Sequence, residues 1–108
     1  MDSNKLKNMI QGEKEIKDKI LTFEVDSRFV KEMANVMTKN KSKYPRGNHY
    51  KPIDKILLFE AMERHLIAVK EHYQYNTDMI DEDGCSHLVK VATNAMMLYI
   101  QEIKKVHL

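Results

Sequence analysis

Asp83, His87, Lys90 and Asn94 recur in steps of four, three and four residues, which on a helix turning about 100° per residue returns them to one face. The residues around them, Leu88, Val89, Val91, Ala92, Ala95, Met96, Met97, Leu98, Tyr99, Ile100 and Ile103, are apolar or aromatic and cover the remaining surface. An acid, an imidazole, an ammonium and an amide on a mostly buried helix need partners, because each unpaired buried polar group costs about 1–3 kcal/mol. A ligand or a metal could supply them. So could the chain itself, with His87 and Asn94 as a hydrogen-bonded core pair and Asp83 or Ser86 as a helix cap.

A second polar face falls upstream, where Glu60, Glu63 and Arg64 sit three and four residues apart in another apolar stretch. Two carboxylates one turn apart can hold Mg²⁺, which keeps waters and takes further oxygens from phosphates. The same spacing also makes Glu60–Arg64 an ordinary helical ion pair. His65 lies well around the helix from Glu60 and belongs to another contact. If the two helices pack with these faces together, a polar pocket results. A third feature is Lys43-Tyr44-Pro45-Arg46-Gly47-Asn48-His49, whose cations, aromatic ring and amide could grip a phosphate and stack on a base, or simply form a soluble interhelical connection. Cys85 reads as a passive residue near a helix start, a position that can lower a thiol pKa.

The elements that must position these residues are helices. Leu6, Met9, Ile10, Ile16 and Ile20 recur at helical spacing from Ser3 to about Lys19, interrupted by Gly12. Residues 20–25 form an extended connector or one short strand, and Asp26 or Ser27 caps a second helix to Lys39. Its buried face is Phe29, Val30, Met33, Ala34, Val36 and Met37. Pro45 and Gly47 mark a loop, and Pro52 opens a third helix to about His72 that is apolar around much of its circumference and so belongs near the centre. An acidic loop from Tyr73 to Asp83 leads into a fourth helix, from about Asp83 to Lys105.

Composition agrees. A chain of 108 residues with 43% hydrophobic and 31% charged residues makes one ordinary domain, and 3 Gly with 2 Pro leave little turn chemistry for many strands. The expectation is an all-α, four-helix domain over 1–108, with an N-terminal helix and connector over 1–25 and a core over 26–108. A formal charge of +2 with interspersed signs gives no reason for a nucleic-acid partner. No segment approaches the roughly 18–20 apolar residues that span a bilayer, and a single cysteine precludes an internal disulfide, so the expected location is cytoplasmic. The broad apolarity of the third and fourth helices predicts a homodimer or higher homo-oligomer.

Taken in order, Lys43-Tyr44-Pro45-Arg46-Gly47-Asn48, Glu60-Ala61-x-x-Arg64-His65, Glu82-Asp83-Gly84-x-x-His87-Leu88 and Ala92-x-Asn94-Ala95 resemble the phage-type dATP/dGTP diphosphohydrolase family. That family is related to the MazG-like all-α nucleoside triphosphate pyrophosphohydrolases. The likeness spans roughly Phe29 to Leu98. It implies a MazG-like helical core that uses Mg²⁺ to hydrolyse a purine deoxynucleoside triphosphate to a monophosphate and pyrophosphate, in the host cytoplasm if the chain is phage-encoded. By the resemblance, Glu60 and Glu63 are metal-side carboxylates with Glu82 or Asp83 as further acids, one carboxylate serving as general base. Lys43, Arg46 and Arg64 neutralise phosphate charge, His87 and Asn94 position nucleotide or water, and Tyr44 and Asn48 contact base or sugar. Lys90 joins the substrate-binding set by its place on the same face.

The chain departs from the MazG-like pattern in lacking a second acidic pair on the following helix. Asp78 and Asp81 have that mutual spacing but fall in the loop, and His49 stands where the family has a tryptophan-like residue. These departures keep a second function open: a protein that sequesters a nucleotide or cyclic-nucleotide signal without hydrolysing it, needing no metal. A helical protein-interaction module is the third.

Overall fold

The computed structural model describes residues 19–41 and 47–107, and all the regular elements among them are helical. The helix expected from Ser3 to Lys19 lies outside these residues, apart from Lys19, which stands in a bend. Residues 20–25 contain no strand and fold instead around a 3-10 turn, Thr22–Glu24. Three α-helices follow: α1 (Ser27–Lys39), α2 (Lys55–Tyr75) and α3 (His87–His107).

Each helix starts where local chemistry provides a cap. Asp26 accepts the Arg28 N–H at 2.8 Å, which starts α1 at the position expected of it. Asp54 accepts the Ile56 N–H at 2.9 Å, so α2 begins at Lys55 rather than at Pro52. It also runs one turn beyond His72, to Asn76, which takes the left-handed conformation at φ 58° and donates its N–H to the His72 carbonyl. α3 begins at His87, four residues later than expected, because Asp83 is spent on a tight turn and the Ser86 hydroxyl accepts the Leu88 N–H.

α3 is the central element and packs on both other helices, most extensively on α2. The α2–α3 pair is antiparallel: His65 meets His87 at one end, and Lys55 reaches Glu102 at 2.9 Å at the other. The lower end of α1 meets the start of α3, where Val36, Cys85 and Val89 form a buried cluster with Met33 beside it. Two expectations change here. α1 buries a narrower face than its pattern suggests, with Phe29 and Val30 exposed. α2 is not central: Leu58 and Val69 are buried, whereas Ile56, Leu57, Phe59, Leu66 and Ile67 are all exposed.

A buried glutamine fastens the connection that precedes α2. Gln101 is 6% exposed; its Nε2 donates to the carbonyls of His49 and Lys51 at 3.0 and 2.9 Å, and its Oε1 accepts the Ile53 N–H at 3.3 Å. The amide thereby satisfies backbone groups that belong to no helix. Replacing Gln101 with Leu adds apolar character to a helix but strands these three groups. The Gln101→Leu variant is expected to lose about 1–3 kcal/mol in urea unfolding, and unchanged or increased stability would contradict this role.

Candidate functional site

The turn between α2 and α3 brings the polar residues together. Ile80 and Ser86 form an antiparallel bridge, flanked by hydrogen bonds from Asp81 N–H to the Cys85 carbonyl and from His87 N–H to the Met79 carbonyl, each 2.9 Å. Gly84 closes the turn at φ +83°, a conformation costly for any side chain. Three aspartates brace the loop from within: Asp78, Asp81 and Asp83 accept the N–H groups of Ile80, Glu82 and Cys85. From α1, the Lys39 ammonium donates to the Asp83 carbonyl at 2.6 Å.

Lys90 rises from the first turns of α3 into this loop and pairs with both carboxylates, Asp81 Oδ2 at 2.7 Å and Asp83 Oδ2 at 2.8 Å. The ammonium's hydrogen bond, with the Glu82 N–H, holds Asp81 below the usual carboxylate range. Burial pushes Asp83 upward, but Lys90 and the Cys85 N–H outweigh it and leave that carboxyl lowered as well. For Lys90 burial works against the charge, yet the two carboxylates raise its pKa on balance. Cys85 sits beneath, 1% exposed, and burial followed by the Asp83 charge pushes its thiol up rather than down, so the nearby helix start does not activate it.

Beside this triad the two histidines meet, His65 Nδ1 to His87 Nδ1, at 3.0 Å, with His87 Nδ1 also 4.0 Å from Asp81 Oδ2. Burial, then the Lys90 and His87 charges, lower the His65 pKa, so its ring is neutral near pH 7. A cleft of about 260 Å³ opens here, with Arg64, His65, Asp81, Lys90 and Asn94 as its polar lining, Asn40 from the end of α1, and Val36, Ala61, Thr93 and Met97 as its floor. Lys90 is already matched by its two carboxylates, so Arg64, with the amides and the neutral imidazole, is what the cleft offers to a phosphate group. At this size the cleft falls just below the roughly 300–1,000 Å³ usual for sites that enclose a whole small-molecule ligand.

The residues expected at the site divide into three groups. Arg64, Lys90 and Asn94 line the cleft, His87 stands beside it, and Asp83 reaches it through Lys90. Glu60 and Glu63 are exposed on α2, turned away from the face that carries Leu58, His65 and Val69, and Glu82 is exposed in the turn. Lys43, Tyr44 and Arg46 lie outside the described residues, and Asn48 opens a 3-10 turn, Asn48–Tyr50. His65 and Asp81 enter the site from positions that the face-by-face reading set aside. Their signal is present but weak: two histidines on either side of an acidic turn, which an antiparallel helix pair must bring near each other.

The donor set around the cleft does not fit Mg²⁺. Among the described residues the group with metal-ligating atoms close together is His65, Asp81 and His87, all within 4.8 Å of one another. That is two nitrogens and one carboxylate already shared with an ammonium, whereas Mg²⁺ takes an octahedron of oxygens. No described helix is long and apolar enough to cross a membrane.

Comparison with known proteins places the chain. Residues 9–107 match the family described as dATP/dGTP diphosphohydrolase, N-terminal, and the chain belongs to that family. Neither the curated proteins nor the solved structures compared with it contain a match.

The triad makes folding acid-sensitive. Carboxyls whose folded pKa is depressed add stability that is fully present above their unfolded value, about 3.9, and that is lost as pH falls through the folded value. The Lys90→Met variant is expected to lose about 1–3 kcal/mol at pH 7 and to show a shallower decline in stability below pH about 4. Urea unfolding at pH 3 and pH 7 measures both, and parallel pH profiles for variant and wild type would rule the triad out as the source.

Proposed function

We propose that this chain is a nucleoside triphosphate pyrophosphohydrolase acting on purine deoxynucleotides, releasing a monophosphate and pyrophosphate. The single observation that carries this reading is the family match over nearly the whole chain, and the cleft beside α3 agrees with it chemically. Arg64 offers positive charge to phosphate oxygens, Lys90, Asn94 and Asn40 offer hydrogen-bond donors, and the neutral His65 can accept a proton from an attacking water. Mg²⁺ dependence, which the family resemblance implies, would rest with Glu60 and Glu63 on the face of α2 turned away from the cleft, rather than with the cleft's own donors.

The outer face of α2 supports a homodimer as part of the same proposal. Ile56 and Ile67 lie on the same stripe as Glu60, opposite the buried Leu58 and Val69, and are 66% and 56% exposed, with Leu57, Phe59 and Leu66 flanking them. A second copy of the chain packed on this face forms a homodimer, and it places Glu60 and Glu63 at the boundary between copies. An Ile67→Lys variant is expected to be monomeric by light scattering while its helical circular dichroism is retained. A monomeric wild type at micromolar concentration would exclude the dimer.

The activity is tested by incubating the protein with dATP, dGTP and the pyrimidine deoxynucleotides, with and without divalent ions, and separating the products. Metal-dependent release of dAMP or dGMP with pyrophosphate is expected, with Arg64→Ala and Glu60→Gln each lowering kcat/KM at least about tenfold, roughly 1.4 kcal/mol. Intact nucleotides recovered from a tight complex would identify a sequestering protein instead, a reading that the exposure of both glutamates, away from the cleft, favours. No binding and no turnover would eliminate both.

A further inference from the structure

We infer that His65, His87 and Asp81 form a binding site for a borderline divalent transition ion, such as Zn²⁺ or Co²⁺, which discriminates against Mg²⁺. The three side chains come from separate places, α2, the start of α3 and the turn between them, and all three are half-buried. Their ligating atoms lie within 4.8 Å of one another, and the two Nδ1 atoms are 3.0 Å apart. Two nitrogens on one tetrahedral zinc, each at 2.0–2.1 Å, lie about 3.3 Å apart. The imidazoles therefore need only a few tenths of an ångström of separation to share an ion. Two imidazoles with one carboxylate is a donor set that favours zinc, cobalt, iron or nickel over magnesium.

The surrounding chain supports the ligands. Asp81 is held on its other side, where Oδ1 accepts the Glu82 N–H at 2.8 Å, and its backbone is fixed by hydrogen bonds across the turn. The residue that opposes the ion is Lys90, whose ammonium sits 2.7 Å from Asp81 Oδ2. It has an alternative partner in Asp83 Oδ2 at 2.8 Å, so it can yield Asp81 to an ion without being left unpaired. Lys90 thereby sets the affinity of the site. Three protein ligands leave coordination positions open, and the adjoining cleft places a water or a phosphate oxygen at them.

This inference concerns the same site as the proposed activity but stands on the geometry alone, and its test uses no nucleotide. Co²⁺ is titrated into the purified protein, with binding followed by visible absorption and calorimetry, and Zn²⁺ and Mg²⁺ are added as competitors. Stoichiometric Co²⁺ binding is expected, displaced by Zn²⁺ and not by millimolar Mg²⁺. His65→Gln, His87→Gln and Asp81→Asn should each weaken Co²⁺ binding at least about tenfold, whereas Glu60→Gln/Glu63→Gln on the opposite face of α2 should leave it unchanged. Lys90→Met should tighten it. Circular dichroism establishes that each variant is folded, and the glutamate and lysine variants decide the matter should a histidine variant unfold. Absence of Co²⁺ binding in the wild type, binding that survives loss of either histidine, or binding abolished by the glutamate pair would overturn the site.

Discussion

The ammonium of Lys90 stands between two aspartates at the point where all three helices converge, and much of the local architecture depends on that charge balance. Lys90 leaves a helix whose other surfaces are apolar, so its charge needs partners within reach. Asp81 and Asp83 supply them from a turn whose own backbone is pinned by a β-bridge, a left-handed glycine and three aspartate side chains. Lys39 draws the end of α1 onto the same turn. Breaking such a group exposes uncompensated charge, so the polar cluster reinforces the apolar contacts of the same junction. Val36, Cys85 and Val89 close the floor beneath it.

The chemistry of the cleft follows from that junction. Arg64 gives positive charge at the rim, where Lys90 is balanced by its aspartates, while burial keeps His65 neutral and available to accept a proton or donate a lone pair. Membership of the dATP/dGTP diphosphohydrolase family is the ground on which a nucleotide is proposed for this environment. The carboxylates that the resemblance makes metal-side ligands lie elsewhere on α2, so the two sets of candidate ligands serve distinct surfaces. His65, Asp81 and His87 gather inside the chain, and Glu60 with Glu63 look outward among exposed isoleucines and leucines.

Helical periodicity, the cap at Asp26 and the scarcity of glycine and proline are local signals, and they were sufficient for the helical character of the described residues and for the limits of α1. They also identified Arg64, Lys90 and Asn94 as residues on shared faces. A face, however, is defined only relative to its own helix. Glu60 and Arg64 share a spacing, yet the packing of α2 on α3 turns Arg64 toward the cleft and leaves Glu60 outside, a choice made by which apolar side of a doubly apolar helix is buried. The same ambiguity made α2 read as central.

Contacts between distant residues were decided only by tertiary structure. The start of α3 shifted because Asp83 is better used as a turn brace and lysine partner than as a helical residue, and Asp81 entered the site because the turn folds back on Lys90. Gln101 carries no signal in the sequence, and its role appears only where its amide satisfies the chain before α2. The sequence by itself determined that the described residues are helical and which residue types are available, since propensity and capping act over a few neighbours. Which imidazole meets which carboxylate depends on how two amphipathic helices rotate about each other, and only the burial of one of several apolar faces settles that.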